Sequence, residues 1–213
     1  MIDPQAQVFI VDDDEAVRNT LRLLVKAAGI PCTTFASAHE FLHGYDLDQP
    51  GCVVLDVRMP GMTGMELQQI LNLKGAVIPV IFISGHGDVP MAVEAMKHGA
   101  FDFVQKPVSG DELVVGVKRA LEKDRANRDQ LRQRDVIRER LQSLTPRERE
   151  ILTLVTRGKP NKVMAGDLGV SQRTVEIHRA RVMEKMGAAS LAQLVRMVLD
   201  FEPLLISSAT GSA

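Results

Sequence analysis

Four short apolar runs in this chain each break off at a polar residue suited to handling a phosphoryl group. Val8-Phe9-Ile10-Val11 runs into Asp12-Asp13-Asp14, and Val53-Val54-Leu55 runs into Asp56. Val80-Ile81-Phe82-Ile83 ends at Ser84, and Phe101 to Val104 leads to Lys106-Pro107. As buried parallel strands, these runs bring all four polar ends to one edge of one sheet. Open α/β sheets bind their ligands at that edge. Carboxylates, a hydroxyl and an ammonium gathered there suit Mg²⁺-assisted phosphoryl chemistry on an aspartate.

The intervening sequence supports the parallel arrangement. Strand-like runs fall near 8–12, 31–36, 52–57, 79–84 and 101–105, and helical patterns cover about 15–28, 38–44, 64–73, 89–98 and from 109 onward. In the first helical stretch Val17, Leu21, Leu24, Val25 and Ala28 recur at helical spacing and form one buried stripe. Gly29-Ile30-Pro31 and Lys74-Gly75 read as helix-to-strand exits. Strands alternating with helices of this length predict a parallel sheet covered on both faces.

A chain of 213 residues fits two modest domains, each able to bury a core. At 45% hydrophobic and 25% charged it has a globular composition. Its apolar runs fall short of the roughly 18 residues of a membrane helix. The start, Met1-Ile2-Asp3-Pro4, has no cationic segment followed by an apolar stretch, so no secretory signal is expected. Cys32 and Cys52 are expected as reduced, buried thiols, with a disulfide as the alternative. A soluble cytoplasmic protein without a membrane partner is therefore expected. Charge is uneven: an acidic excess of about six over residues 1–120 gives way to a basic excess of about two over 121–143 and about four over 144–200. That asymmetry suits a cation site first and a polyanion partner second.

Mg²⁺ (or Mn²⁺) takes oxygen ligands and usually keeps several waters. Asp13 and Asp56 are the candidates for direct ligation, Asp12 acts through water, and the backbone carbonyl of Arg58 completes the set. Asp56 is also the candidate nucleophile, since an aspartate can form an acyl phosphate. Lys106 would pair with phosphoryl oxygens and Ser84 would offer them a hydroxyl. Asp14 reads as a helix cap rather than a ligand. His39, His43, His86 and His98 lack metal-ligand spacing and read as surface residues.

The motifs Val11-Asp12-Asp13, Leu55 to Gly64, Ile83-Ser84-Gly85-His86-Gly87-Asp88 and Lys106-Pro107 resemble the receiver domain of two-component response regulators. The resemblance spans about 120 residues. It implies phosphorylation at Asp56, an acidic metal pocket at Asp12 and Asp13, a switch hydroxyl at Ser84, a phosphate-pairing Lys106 and a switch aromatic at Phe103. It also implies a flavodoxin-like five-stranded sheet of order 2-1-3-4-5 and a sensor histidine kinase as phosphoryl donor. Serine replaces the commoner threonine and leaves the switch workable. Phe103 lacks a hydroxyl, so only its rotamer can report the state; ordinary core packing is the alternative.

Leu121 to Ser143 is dense in Arg, Gln and Asp and carries no Gly or Pro. Leu131, Ile137, Leu141 and Leu144 form a stripe too sparse for a coiled coil. A long solvated helix or a disordered tether both suit it. Then Thr145 stands as an N-cap, with Pro146 at the first helical position and Glu148 completing a capping box. Ile151, Leu152, Leu154 and Val155 supply a buried face, and Gly158 ends the helix. A second helix covers about 161–168, Gly169 turns the chain, and Ser171 caps a third from about Gln172 to Met186. A last helix near Leu191 to Leu199 aligns Leu191, Leu194, Val195 and Val198. This is a helix-turn-helix arrangement.

Leu-Thr-Pro-Arg-Glu-Arg-Glu at 144–150, Asn161-Lys162 and Thr174 to Arg179 resemble the LuxR-type output domain of NarL/FixJ regulators, over about 144–200. The resemblance implies a third helix in the major groove of double-stranded promoter DNA. Thr174, Glu176, Ile177, His178, Ala180 and Arg181 would then lie near bases or phosphates. Relatives often carry lysine at the positions of Glu176 and Ala180. Glu176 either accepts from cytosine or repels phosphate. Lys162, Arg173 and Arg179 are the candidates for phosphate contacts, which position without reading sequence.

The expected protein is a phosphorylation-dependent transcriptional regulator that catalyses only its own aspartate phosphorylation and dephosphorylation. Its expected parts are a receiver at 1–122, a helical linker at 123–143, a helix-turn-helix domain at 144–203 and a disordered tail at 204–213. A homodimer is expected on phosphorylation or DNA binding, pairing through the Leu191–Val198 helix. Two rivals stand beside this reading. An aspartyl-phosphate hydrolase would want an acid two residues beyond Asp56, where this chain has Arg58. A constitutive DNA-binding protein with a degenerate receiver would be indifferent to Asp56.

Overall fold

The structure is a computed structural model that describes residues 5–85 and 89–199. His86, Gly87 and Asp88 lie outside the described residues, as does the segment from Asp200 that includes the tail expected to be disordered. The chain divides into two compact units, one through Asp129 and one from Gln130 onward.

In the first unit, β1 (Gln7–Val11), β2 (Cys32–Phe35), β3 (Gly51–Asp56), β4 (Val80–Ser84) and β5 (Asp102–Gln105) form one sheet. Its order is β2-β1-β3-β4-β5, and every neighbouring pair is parallel. A parallel sheet buried on both faces needs apolar residues at successive positions rather than alternating ones, which explains the continuous runs. Val8, Ile10, Cys52, Val54, Ile81 and Ile83 point to one face. There α1 (Glu15–Ala27) supplies Leu21 and Val25, and α5 (Gly110–Gln142) supplies Leu113, Val117, Ala120 and Leu121. Phe9, Val11, Val53, Leu55, Val80 and Phe82 point to the other face. That face is covered by α2 (Ala38–Gly44), α3 (Gly64–Leu73) and α4 (Val89–Lys97) through Phe41, Leu67, Leu71 and Ala95.

Cys32 and Cys52 are both free. Each pairs in register with Val8 from opposite sides of β1. They therefore stand two strand spacings apart, roughly 9–10 Å, beyond the reach of a disulfide. Cys52 is fully buried and Cys32 only half so.

The second unit contains the last turns of α5 and four helices: α6 (Pro146–Thr156), α7 (Asn161–Leu168), α8 (Gln172–Met186) and α9 (Leu191–Leu199). Thr145 and Glu148 complete the capping box, worth about 0.5–2 kcal/mol. Ser171 caps α8 by accepting from the Thr174 amide. Gly169 takes the left-handed conformation, φ 64°, that turns α7 into α8. Ile151, Leu152, Val155, Met164, Val175, Val182, Met186, Leu194 and Val198 close one core, with Ile137 and Leu141 of α5 packed against it.

Candidate functional site

Strand register assembles the site at the carboxyl edge of the sheet. Val11 pairs with Leu55, Asp56 with Ile83 and Ser84 with Gln105. The next residues along β1 and β5, Asp12 and Lys106, thus fall into one row with Asp56 and Ser84. β1 and β3 flank the point where strand order reverses, the usual ligand crevice of this topology. The Lys106 amide donates to the Ser84 carbonyl at 2.7 Å and extends the ladder into the site.

Side chains then converge. The Lys106 ammonium donates to Asp12 Oδ2 at 2.8 Å and to Asp56 Oδ1 at 2.6 Å. The other Asp56 oxygen accepts from the Arg58 amide at 2.7 Å, and Asp12 Oδ1 accepts from the Asp14 amide at 2.9 Å. Asp12, Asp56 and Ser84 are buried. Burial raises the Asp56 carboxyl above its ordinary range; Lys106 opposes the shift and the Asp12 charge adds to it. Burial draws the Lys106 ammonium down, but its bonds to Asp12 and Asp56 outweigh that and its pKa is raised. Asp14 caps α1, accepting from the Ala16 and Val17 amides. Phe103 is half-buried and packs against the core on the face that α2, α3 and α4 cover.

Hard divalent cations seek oxygen donors, and the residues present fit one in kind. Two buried carboxylates share one ammonium, so negative charge is left over beside exposed Asp13. Among the described residues no three acidic, His or Cys side chains draw together closely enough to hold an ion. Lys106 occupies the position between Asp12 and Asp56, while Asp13 faces solvent.

In the second unit α8 exposes Arg173, Glu176, Ile177, Ala180 and Arg181, and Lys162 is exposed on α7. Thr174 is half-buried, its hydroxyl 2.8 Å from that of Ser171. Arg179 is also half-buried and donates to Asn161 Oδ1, tying α8 to α7. His178 is half-buried with Nδ1 enclosed among the described residues and lacking a hydrogen-bond partner.

The model of the response regulator receiver domain matches residues 8–118, and that of bacterial regulatory proteins of the luxR family matches residues 142–198. The transcriptional regulatory protein FixJ of Azorhizobium caulinodans is 47% identical over 193 residues, covering 90% of this chain and 91% of its own. The chain belongs to the NarL/FixJ family of response regulators. Rhizobium meliloti FixJ is likewise 47% identical, covering 90% of this chain and 94% of its own. The solved response regulator StyR superposes with a TM-score of 0.82 at 42% identity, covering 92% of this chain and 99% of its own. Full-length FixJ from B. japonicum covers 92% of this chain and 96% of its own, with a TM-score of 0.55 at 40% identity.

As a response regulator with a LuxR-type domain, the chain is a two-component transcriptional regulator. Its receiver implies a histidine kinase partner and its output domain implies DNA binding. Such regulators are generally not enzymes, and receiver domains generally bind Mg²⁺ at the phosphorylation site. Among the described residues no helix is long and apolar enough to cross a membrane.

Three features of this response regulator carried no functional signal in the sequence. Arg18 donates to the Asp12 carbonyl at 2.7 Å and braces the loop that carries the acids. A Cβ on Gly64 would stand 2.2 Å from the Asp56 carbonyl oxygen, so only glycine lets α3 start against the end of β3. Third, Asp124 and Arg128 form a buried ion pair on α5. Asp124 accepts from the Gly51 amide at 3.0 Å, and Arg128 donates to the carbonyls of Leu47 at 3.2 Å and Gln49 at 2.7 Å. Asn127 adds a bond to the Val77 carbonyl at 3.0 Å. These contacts fasten α5 to the amino-terminal ends of β3 and β4, opposite the acidic site.

Proposed function

We propose that Asp56 takes a phosphoryl group from a sensor histidine kinase and that the modified protein controls promoter binding through α8. A carboxylate oxygen of Asp56 attacks phosphorus in line, forming an acyl phosphate as the P–N bond of phosphohistidine breaks. The imidazole leaves with that electron pair and takes up a proton. Lys106 changes partner from the Asp56 carboxylate to the phosphoryl oxygens, and Ser84 donates its hydroxyl to one of them. A Mg²⁺ or Mn²⁺ ion held by Asp12, Asp13, Asp56 and the Arg58 carbonyl would neutralise the transferring charge. The Phe103 rotamer follows Ser84. Two phosphorylated chains then pair on a pseudo-palindromic site. Of the α9 stripe expected as the contact, Leu194 and Val198 are buried in the unit's own core, so pairing through α9 would use its exposed Leu191 and Leu199 instead.

The observation that carries this reading is the single ammonium bridging Asp12 and Asp56 at 2.8 and 2.6 Å. It presets a cation where phosphoryl charge must be received. Against a hydrolase, the residue two beyond Asp56 contributes its amide to Asp56, and its exposed side chain is a guanidinium rather than an acid. The test is intact-mass analysis after incubation with acetyl phosphate and Mg²⁺. Wild type should gain one phosphoryl group, while Asp56→Asn, or wild type with a chelator, should gain none. Equal labelling of Asp56→Asn would exclude Asp56 as acceptor, and sustained turnover of a generic phosphomonoester would favour the hydrolase.

A further inference from the structure

The outward face of α8 is not that of a helix built only to grip phosphates. Arg173, Glu176, Ile177, Ala180, Arg181 and Glu184 recur at helical spacing and are all exposed, while Val175, Val182 and Met186 face the core. The middle of that stripe presents a carboxylate, a branched alkyl chain and a methyl group. Cations stand to either side, at Arg173 and Arg181. The other residues able to offer positive charge near the middle are turned aside: Arg179 donates to Asn161, and His178 is half-buried. Glu176 lies 3.8 Å from Arg173, too far for a hydrogen bond, and both side chains are well exposed. Its oxygens are therefore open to an incoming donor.

A carboxylate at the centre of a DNA-facing surface is repelled by phosphates unless a base donor compensates. In the major groove guanine shows two acceptors and thymine shows an acceptor and a methyl group. Adenine offers an amino group beside the acceptor N7, and cytosine offers an amino group with no acceptor on its own edge. Cytosine is thus the base a carboxylate fits best. Resting on the reading that α8 enters the major groove, we propose that Glu176 determines the sequence specificity of this output domain. It accepts a hydrogen bond from the exocyclic amino group of cytosine, and its charge disfavours duplexes lacking that donor.

The test selects duplexes from a random pool with the full-length protein treated with acetyl phosphate and Mg²⁺, using wild type, Glu176→Ala and Glu176→Gln. Wild type should enrich a fixed cytosine in each half-site. Replacing that cytosine should weaken wild-type binding roughly 5- to 150-fold. Glu176→Ala should lose the preference at that position while keeping the rest of the site. Glu176→Gln should shift it toward adenine, because a carboxamide can accept from N6 and donate to N7. Unchanged thermal midpoints would show that both variants fold, as substitution of an exposed side chain predicts.

Recovery of the same cytosine by Glu176→Ala overturns the proposal, as does an unaltered base preference in Glu176→Gln. A uniform tightening on all duplexes with the site unchanged also overturns it, leaving Glu176 as a mere repellent. Failure of wild type to enrich or bind any duplex, even at low salt, would instead remove the major-groove reading and the proposal with it.

Discussion

Replacing Arg128 by methionine keeps apolar bulk along α5 but removes the guanidinium donors from a site nearly closed to water. The Arg128 and Asp124 side chains are 10% and 2% exposed. The substitution deletes the pairing of Nε with Asp124 at 2.9 and 3.0 Å and takes a donor from the carbonyls of Leu47 and Gln49, leaving Gln49 the Tyr45 hydroxyl at 3.4 Å. Removing one partner of a buried ion pair costs about 3–5 kcal/mol, because the remaining charge stays uncompensated. The Gly51 amide still donates to Asp124, and Asp124 can take up a proton, so the lost carbonyl bonds should not add in full. Against a typical domain stability of about 5–15 kcal/mol, the loss removes a large share. It corresponds to a fall in urea midpoint on the order of 1–3 M.

The chain carries its own probe, since it has one tyrosine and no tryptophan. Tyr45 stacks on Phe41 with ring centroids 4.9 Å apart, so its fluorescence follows the first unit alone. Arg125 and Asp129 form the same kind of i,i+4 pair one residue along, but they are 52% and 50% exposed and 3.9 Å apart. Arg125→Met should cost well under about 1 kcal/mol. The double replacement Asp124→Leu with Arg128→Met should recover much of the loss, since no charge then stays buried. The reasoning fails if Arg128→Met costs no more than Arg125→Met, or if the double variant is as unstable as the sum of its parts.

Two further substitutions test the packing and the electrostatics. Gly64→Ala should cost about 1–3 kcal/mol by overpacking and slow labelling by acetyl phosphate, because the displaced atom is the Asp56 carbonyl oxygen; equal labelling rates at equal stability would contradict this. In the second unit a bond from Lys185, then one from the Thr145 amide, holds the Glu148 carboxyl down to about 2 from an ordinary 4.5. A depressed folded pKa contributes stability that is present above pH 4.5 and lost as pH falls toward 2. Thermal unfolding of Glu148→Gln should therefore show a shallower acid dependence over that window than wild type, and identical slopes would count against the pairing.

The sheet was readable because a buried parallel strand must be apolar throughout, and the site because each run ends in a polar side chain at the carboxyl edge of the sheet. Asp12, Asp56, Ser84 and Lys106 announce themselves by interrupting apolar sequence, and strand register then fixes their row. Asp124 and Arg128 could not be found that way. In sequence Arg125 and Asp129 form an i,i+4 pair of the same residue types in reversed order, and only the packing of α5 against the β3 and β4 ends decides which pair is buried. Arg179 illustrates the same limit: one side of α8 presents cations outward, yet this residue turns to Asn161 of α7. Asp13, expected with Asp56 as an oxygen ligand of a divalent cation, faces water here, while the Lys106 ammonium stands between Asp12 and Asp56.

The central claim is that phosphorylation at Asp56 is coupled to DNA affinity. It is tested most directly by titrating one selected duplex with the full-length protein before and after acetyl phosphate treatment, alongside Asp56→Asn, at fixed salt. Coupling between sites is typically worth about 1–3 kcal/mol, so the phosphorylated protein should bind roughly 5- to 150-fold more tightly, and Asp56→Asn should not respond. Equal affinity of the phosphorylated and unphosphorylated wild type would contradict the account and leave a constitutive DNA-binding protein in its place.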